Sequence, residues 1–290
     1  MPVSVYNTHI VEQGPMISSN IPSPRHAADF SSRSYWENRF TTETSFEWLQ
    51  PSSSIIPAVE MEILKKDIPS PAILHLGCGT SDLSNHLRKL LSRLNRPLQR
   101  DPRMESVILN VDFAAGAIET SRQHERAEFG DEQMRWAVLD TLDRKAFEQC
   151  CLDNCPRLFD VLVEKSYSDA LACGEEIPLQ SSTINPDPLP DVSVETQSAI
   201  QSTVMTPEAA SAIYLASVTK AGGLWIAVSY SSERFDFLKN SCSPAASFWS
   251  IESARTLLVS DDDSNDTRAG PVHRPQIAHY LYILKRTEVI

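Results

Sequence analysis

Four residues carry the first chemical signal: Gly77 and Gly79 in "LHLGCGTSDLS" (74–84), then Asp112 and Asp140, each closing an apolar run. Glycine permits a left-handed turn and lets a ligand lie close against the main chain. Ionised aspartates are pure acceptors. Asp112 would take hydrogen bonds from the two hydroxyls of a ribose, and Asp140 one from the exocyclic amine of an adenine. A dinucleotide fingerprint needs a third glycine three residues after the second, and Asp82 stands there instead. An acidic side chain at a helix mouth repels the pyrophosphate that such a terminus otherwise attracts.

The pattern therefore points to an adenosine-bearing ligand without phosphates. S-adenosylmethionine fits that description and NAD does not. Asp112 lies 33 residues beyond Gly79, against about 20 in an ordinary βαβ unit. The polar stretch "RLNRPLQRDPRM" (93–104) accounts for the excess as an insertion ahead of the second strand. Each position also has a plainer use. The glycines would serve any tight turn, Asp112 would cap the segment "FAAGAIE", and Asp140 would cap "LDRKAFEQ". His75, inside the first strand, reads as a satisfied core histidine.

These residues need a sheet to position them. Strands are expected at 72–76, 106–112, 134–140, 159–164 and 223–230, with helices at about 55–66, 81–95 and from 114. Apolar, β-branched runs alternating with helical segments indicate a parallel sheet covered on both faces. "FWSIESARTLLV" and "IAHYLYILKR" add a late antiparallel hairpin at the sheet edge. The expected fold is α/β and doubly wound, a seven-stranded, mostly parallel, Rossmann-like sheet. Ligands in such sheets bind at the carboxyl ends of the strands. There Gly77, Asp112, Asp140 and the pair Glu164-Lys165 converge.

The 290 residues, 41% hydrophobic and 22% charged, suit one large domain with a full core. No apolar run reaches the roughly 18 residues of a membrane span, and the N-terminus has no secretory pattern; a cytoplasmic protein is expected. The six cysteines show no paired framework. "CCLDNC" (150–155) has no second ligand pair, so no metal is expected. A net charge of −12 argues against nucleic acid and leaves a small molecule or a basic protein as partner. Residues 1–30 read as a disordered tail and 31–290 as the domain. Within it, the Pro-rich stretch 175–205 is either a lid over the acceptor or a disordered insertion.

"YWENRF" (35–40) with "FEWL" (46–49), the glycine motif, "FDVLVEKSYSDAL" (159–171) and "HYLYILKR" (279–286) occur in this order. Together they resemble the seven-strand, class I methyltransferases, and within them the elongation-factor-1A lysine methyltransferase 4 and methyltransferase-like 13 subfamily. The resemblance implies that Trp36, Phe40 and Trp48 wall the cofactor and that Gly77 and Gly79 form its turn, with Gly77 at the methionine moiety. It places Asp112 and Phe113 around ribose and adenine, Asp140 and Thr141 at the adenine edge, and Lys165 at the end of the fourth strand. Arg39 is assigned to the cofactor carboxylate from charge alone. Where the family commonly reads Lys-Gly-Thr-Leu-Asp-Ala, this chain has Lys165-Ser166-Tyr167-Ser168-Asp169-Ala170.

Methyl transfer from a sulfonium is an in-line displacement that needs positioning, desolvation and a deprotonated nucleophile. Glu164, Tyr167 and Asp169 lie close enough to the fourth strand to assist proton removal. The expected activity is methylation of an oxygen or nitrogen of a small-molecule or peptide-derived metabolite. A protein lysine is the alternative acceptor, and a non-catalytic cofactor-binding scaffold is the third reading.

Overall fold

Leu83, Leu87, Leu90 and Leu91 recur at helical spacing, while all five residues of 72–76 are apolar or core-compatible; the two periods fix a helix and a fully buried strand. A computed structural model of the chain describes residues 30–96, 98, 105–180, 204–258 and 278–288. In chain order it contains α1 (Arg33–Arg39), α2 (Ile56–Lys65), β1 (Ala72–Leu76), α3 (Leu83–Arg93), β2 (Val107–Asp112), α4 (Ala115–Phe129), β3 (Arg135–Val138) and α5 (Arg144–Asn154). Then follow β4 (Phe159–Lys165), α6 (Tyr167–Leu171), β5 (Ile177–Pro178), β6 (Val204–Met205), α7 (Pro207–Val218), β7 (Thr219–Ser229), β8 (Trp249–Leu258) and β9 (Ala278–Arg286).

Seven strands form one sheet in the order β3-β2-β1-β4-β7-β9-β8. β1, β2, β3, β4 and β7 pair in parallel, and β9 runs antiparallel to both β7 and β8. The fold expectation holds, including the C-terminal hairpin at the edge. α2 and α3 cover one face through Val59, Ile63, Leu83 and Leu87. α5 and α7 cover the other through Phe147, Cys151 and Tyr214, packed with Trp225 and Trp249 of the sheet. From β1 the chain winds outward to β3 and returns on the other side of β1 as β4. The topological switch therefore lies between β1 and β4, where a ligand crevice opens at the carboxyl ends.

Two strands differ from expectation. β3 ends at Val138 rather than at 140. β7 begins at Thr219 rather than 223: Thr219 pairs with Phe159, the ladder slips, and it resumes with Leu224 opposite Val161. Gly222, at φ +73°, supplies the slip. His75 is buried, its Nδ1 lies 2.9 Å from Ser84 Oγ and 3.2 Å from Asn110 Oδ1, and burial lowers its pKa to about 4. Most of the expected tail (1–29), the centre of the 175–205 stretch (181–203) and residues 259–277 lie outside the described residues. β5 and β6 pair antiparallel, so the two ends of that stretch meet.

Candidate functional site

β1 stops at Leu76 and the chain turns through Gly77 (φ +55°) and Gly79 (φ +52°), conformations that cost other residues about 1 kcal/mol or more. A Cβ on Gly77 would also stand 3.0 Å from Tyr167 Cδ2. This turn forms the floor of a cavity of about 280 Å³ whose walls include Trp36, Phe40, Trp48, Phe113 and Tyr167.

Asp112 closes β2 beside the turn and lines the same cavity. Its Oδ2 accepts the Gly79 N–H at 2.9 Å and its Oδ1 the Ala114 N–H at 2.8 Å. Burial pushes its carboxyl up to about 6 against the pull of those bonds. Each carboxylate oxygen has a further lone pair, so a diol can still be received. Thr80, next in the turn, lines the cavity with its hydroxyl buried and without a hydrogen-bond partner. An unpartnered buried hydroxyl carries a desolvation cost that a ligand atom would relieve. The glycine cradle, the acceptor at Asp112 and the open hydroxyl of Thr80 fit S-adenosylmethionine.

The aromatic wall is one packed group. Trp36 stacks on Phe40 with centroids 5.6 Å apart and meets Trp48 edge-on at the same distance. Trp36 Nε1 donates to the Phe30 carbonyl at 2.7 Å. Glu47, which the sequence reading passed over, fastens this segment to the sheet. Its carboxylate pairs with the buried Lys165 ammonium, accepts from Ser52 Oγ at 2.7 Å, and accepts the Asp82 N–H at 2.9 Å. Burial draws Lys165 down from its ordinary value. In Glu47 the same penalty is outweighed by Lys165, which holds the carboxyl low. The mouth of α3, where a phosphate would bind, is thus taken by the protein's own carboxylate. "FEWL" contained the signal, an acid flanked by two aromatics.

Three of the expected cofactor residues, Arg39, Asp140 and Thr141, lie outside the cavity lining, and a fourth, Lys165, lines it with its ammonium engaged. Arg39 is outside the cavity lining; it pairs with Glu43 at 2.8 Å and lies 4.7 Å from the Phe46 and 4.9 Å from the Trp48 ring centroids. Asp140 is exposed, and its Oδ1 takes the Leu142 N–H at 2.9 Å. Thr141 is buried outside the lining, its hydroxyl 2.6 Å from that of Tyr167. Lys165 does line the cavity, but its ammonium spends its three N–H bonds on Glu47, the Gln50 carbonyl and Ser52 Oγ.

The three groups expected to take a proton are all engaged. Glu164 is fully buried away from the cavity, accepting the Tyr167 N–H at 2.9 Å and the Ser168 hydroxyl at 2.6 Å. Burial raises it to about 8. Tyr167 shares its hydroxyl with Thr141 and Ser211, and burial raises its pKa further. Asp169 receives Ser229 Oγ, Arg234 Nε, the Tyr230 N–H and Ser166 Oγ at 2.5–3.1 Å. The sequence offered no sign of Arg234, 65 residues downstream.

Strand order, glycine turn and crevice are those of the class I methyltransferase fold. No family model matches the chain. Methyltransferase srdJ of Neurospora crassa is 29% identical over 269 residues, covering 93% of this chain and 88% of that protein. N-methyltransferase NodS from Bradyrhizobium japonicum, with S-adenosyl-l-homocysteine, aligns over 87% of this chain and 98% of its own at 11% identity and a TM-score of 0.43. The magnesium protoporphyrin IX methyltransferase from Synechocystis, with SAM, aligns over 81% and 79% at 12% identity and a TM-score of 0.43.

Proposed function

We propose that the chain is an S-adenosylmethionine-dependent methyltransferase acting on an oxygen or nitrogen of a small-molecule or peptide-derived metabolite. One observation carries the reading: Asp112 and the Gly77–Gly79 turn meet in a single aromatic-walled cavity at the switch point. The kinship with a fungal methyltransferase supports it. Bound S-adenosylmethionine supplies an electrophilic methyl on a sulfonium. Asp112 receives the ribose hydroxyls, Thr80 offers its free hydroxyl, the rings of Trp36, Phe40, Trp48 and Phe113 exclude water, and Phe40 and Phe113 present π faces to the cation. The Glu47–Lys165 pair holds the aromatic segment in place over the turn.

A protein-lysine acceptor is the second reading, favoured by the net charge of −12, which suits a basic partner. Titration calorimetry with S-adenosylmethionine and with NAD checks the cofactor, and binding is expected for the first alone. A lysate incubated with methyl-labelled cofactor separates the acceptors. Label in the organic extract supports a metabolite; label in a protein band overturns it.

A further inference from the structure

We infer that the acceptor is an uncharged, flat-ring compound bearing an acidic hydroxyl, a phenol or enol, and that Tyr230 seats it at the cavity mouth. This rests on the methyltransferase reading above. Tyr230 follows β7, lines the cavity and is 55% exposed. Its position is fixed: its N–H donates to Asp169 Oδ2 at 3.1 Å, and its ring centroid lies 5.4 Å from the Arg234 guanidinium. Arg234 is neutralised by Asp169, 2.9 Å away. Phe46, also in the lining and 37% exposed, repeats the construction. The Arg39 guanidinium lies 4.7 Å from its ring and is neutralised by Glu43 at 2.8 Å.

The cavity lining thus carries two exposed aromatic rings, each close to an arginine that is already paired. A guanidinium close to a ring, even when ion-paired, draws on its π electrons and weakens the ring's pull on a second cation. It leaves stacking with an electron-rich ring as the favourable contact. A lysine ammonium gains little there, and a flat phenol gains most. The nearby proton acceptors suit the same class. Asp169 is saturated by four donors, and the Tyr167 hydroxyl sits between Thr141 and Ser211. An acceptor hydroxyl acidic enough to ionise in water needs no base from this wall. Its proton leaves to bulk water, the phenolate oxygen forms a bond to the methyl carbon, and the methyl–sulfur bond breaks. Its electron pair stays on sulfur, turning the sulfonium into a neutral thioether.

The test uses the full chain saturated with S-adenosylhomocysteine, probed with 1-naphthol and with N-acetyl-lysine methylamide by saturation-transfer NMR and fluorescence titration. Naphthol is expected to bind and the lysine amide to bind at least tenfold more weakly. Tyr230→Ala should weaken naphthol at least tenfold and Tyr230→Phe less than threefold. Both variants should hold S-adenosylhomocysteine within twofold of the parent, which also reports that they fold. Naphthol ignored by the loaded protein, lysine amide bound as well as naphthol, or an Ala variant indistinguishable from the parent would each overturn the inference. Failure of the parent to bind S-adenosylhomocysteine would instead remove the methyltransferase reading beneath it.

Discussion

The carboxylates of Asp112 and Asp140 follow two neighbouring parallel strands, Asp112 as the last residue of β2 and Asp140 two residues beyond β3, and meet different surroundings. β2 is flanked on both sides, and Asp112 lies opposite Val138 at the last rung of its ladder with β3. The glycine turn of β1 folds over it, and two backbone N–H groups hold its oxygens. β3 is the sheet edge and has already ended at Val138, so Asp140 falls in the turn beyond, with its side chain in water. Both read alike in sequence as acids closing apolar runs. The neighbouring strand, which brings donors and excludes water, is what gives one of them a site.

The strongest way to break this contrast is Asp112→Ala. Hydrogen bonds to a charged group contribute about 1.5–3 kcal/mol each, so S-adenosylmethionine affinity should fall at least about tenfold by calorimetry. Unchanged affinity would reduce Asp112 to a brace for the Gly79 and Ala114 N–H groups. A pH series sharpens the point. Its raised carboxyl, near 6 in the ligand-free protein, accepts a diol best when ionised. Affinity should therefore hold above pH 7 and weaken by up to about tenfold per unit as pH falls below 6. Asp112→Asn should bind weakly without that dependence.

The comparison also marks what the sequence could reveal. Gly77, Gly79 and Asp112 were legible because turn geometry and strand ends are local properties, and the alternation of strands and helices set the fold. Glu47 with Lys165, 118 residues apart, and Tyr167 with Ser211, 44 apart, depend on how β4 and the helices pack. No local pattern encodes such distances. The partners of Glu164, Tyr167 and Asp169 were hidden for the same reason, since nearness to β4 in sequence said nothing about which donors would occupy them.

Glu164, next to last in β4, extends the contrast to a third strand, buried like Asp112 but outside the cavity lining. Burial raises its carboxyl from the ordinary 4.5 to about 8. Between those values the unfolded chain gives up the proton while the folded chain keeps it, so this residue lowers stability as pH rises through that window. Glu164→Gln removes the titration. Its melting temperature should gain on the parent by a few degrees between pH 5 and pH 8, with cofactor affinity unchanged within about twofold. A constant difference across that range would mean that Glu164 is ionised in the fold.

The smallest effect is expected at Asp140, and it is the most direct check on the contrast. Its side-chain hydrogen bond to the Leu142 N–H at 2.9 Å tightens an exposed turn. The helix that follows is capped by Asp143, whose Oδ1 takes the Ala146 N–H at 3.1 Å, so α5 does not depend on Asp140. Asp140→Ala should cost about 0.5–1 kcal/mol of stability, the range for one ordinary hydrogen bond, and leave S-adenosylmethionine affinity within about twofold. Asp140→Asn keeps the acceptor and should restore most of the stability. A tenfold loss of affinity in both variants would mean that the adenine reaches past the cavity wall to this turn. The edge strand would then contribute to the site as fully as β2, and position in the sheet would no longer separate the two aspartates.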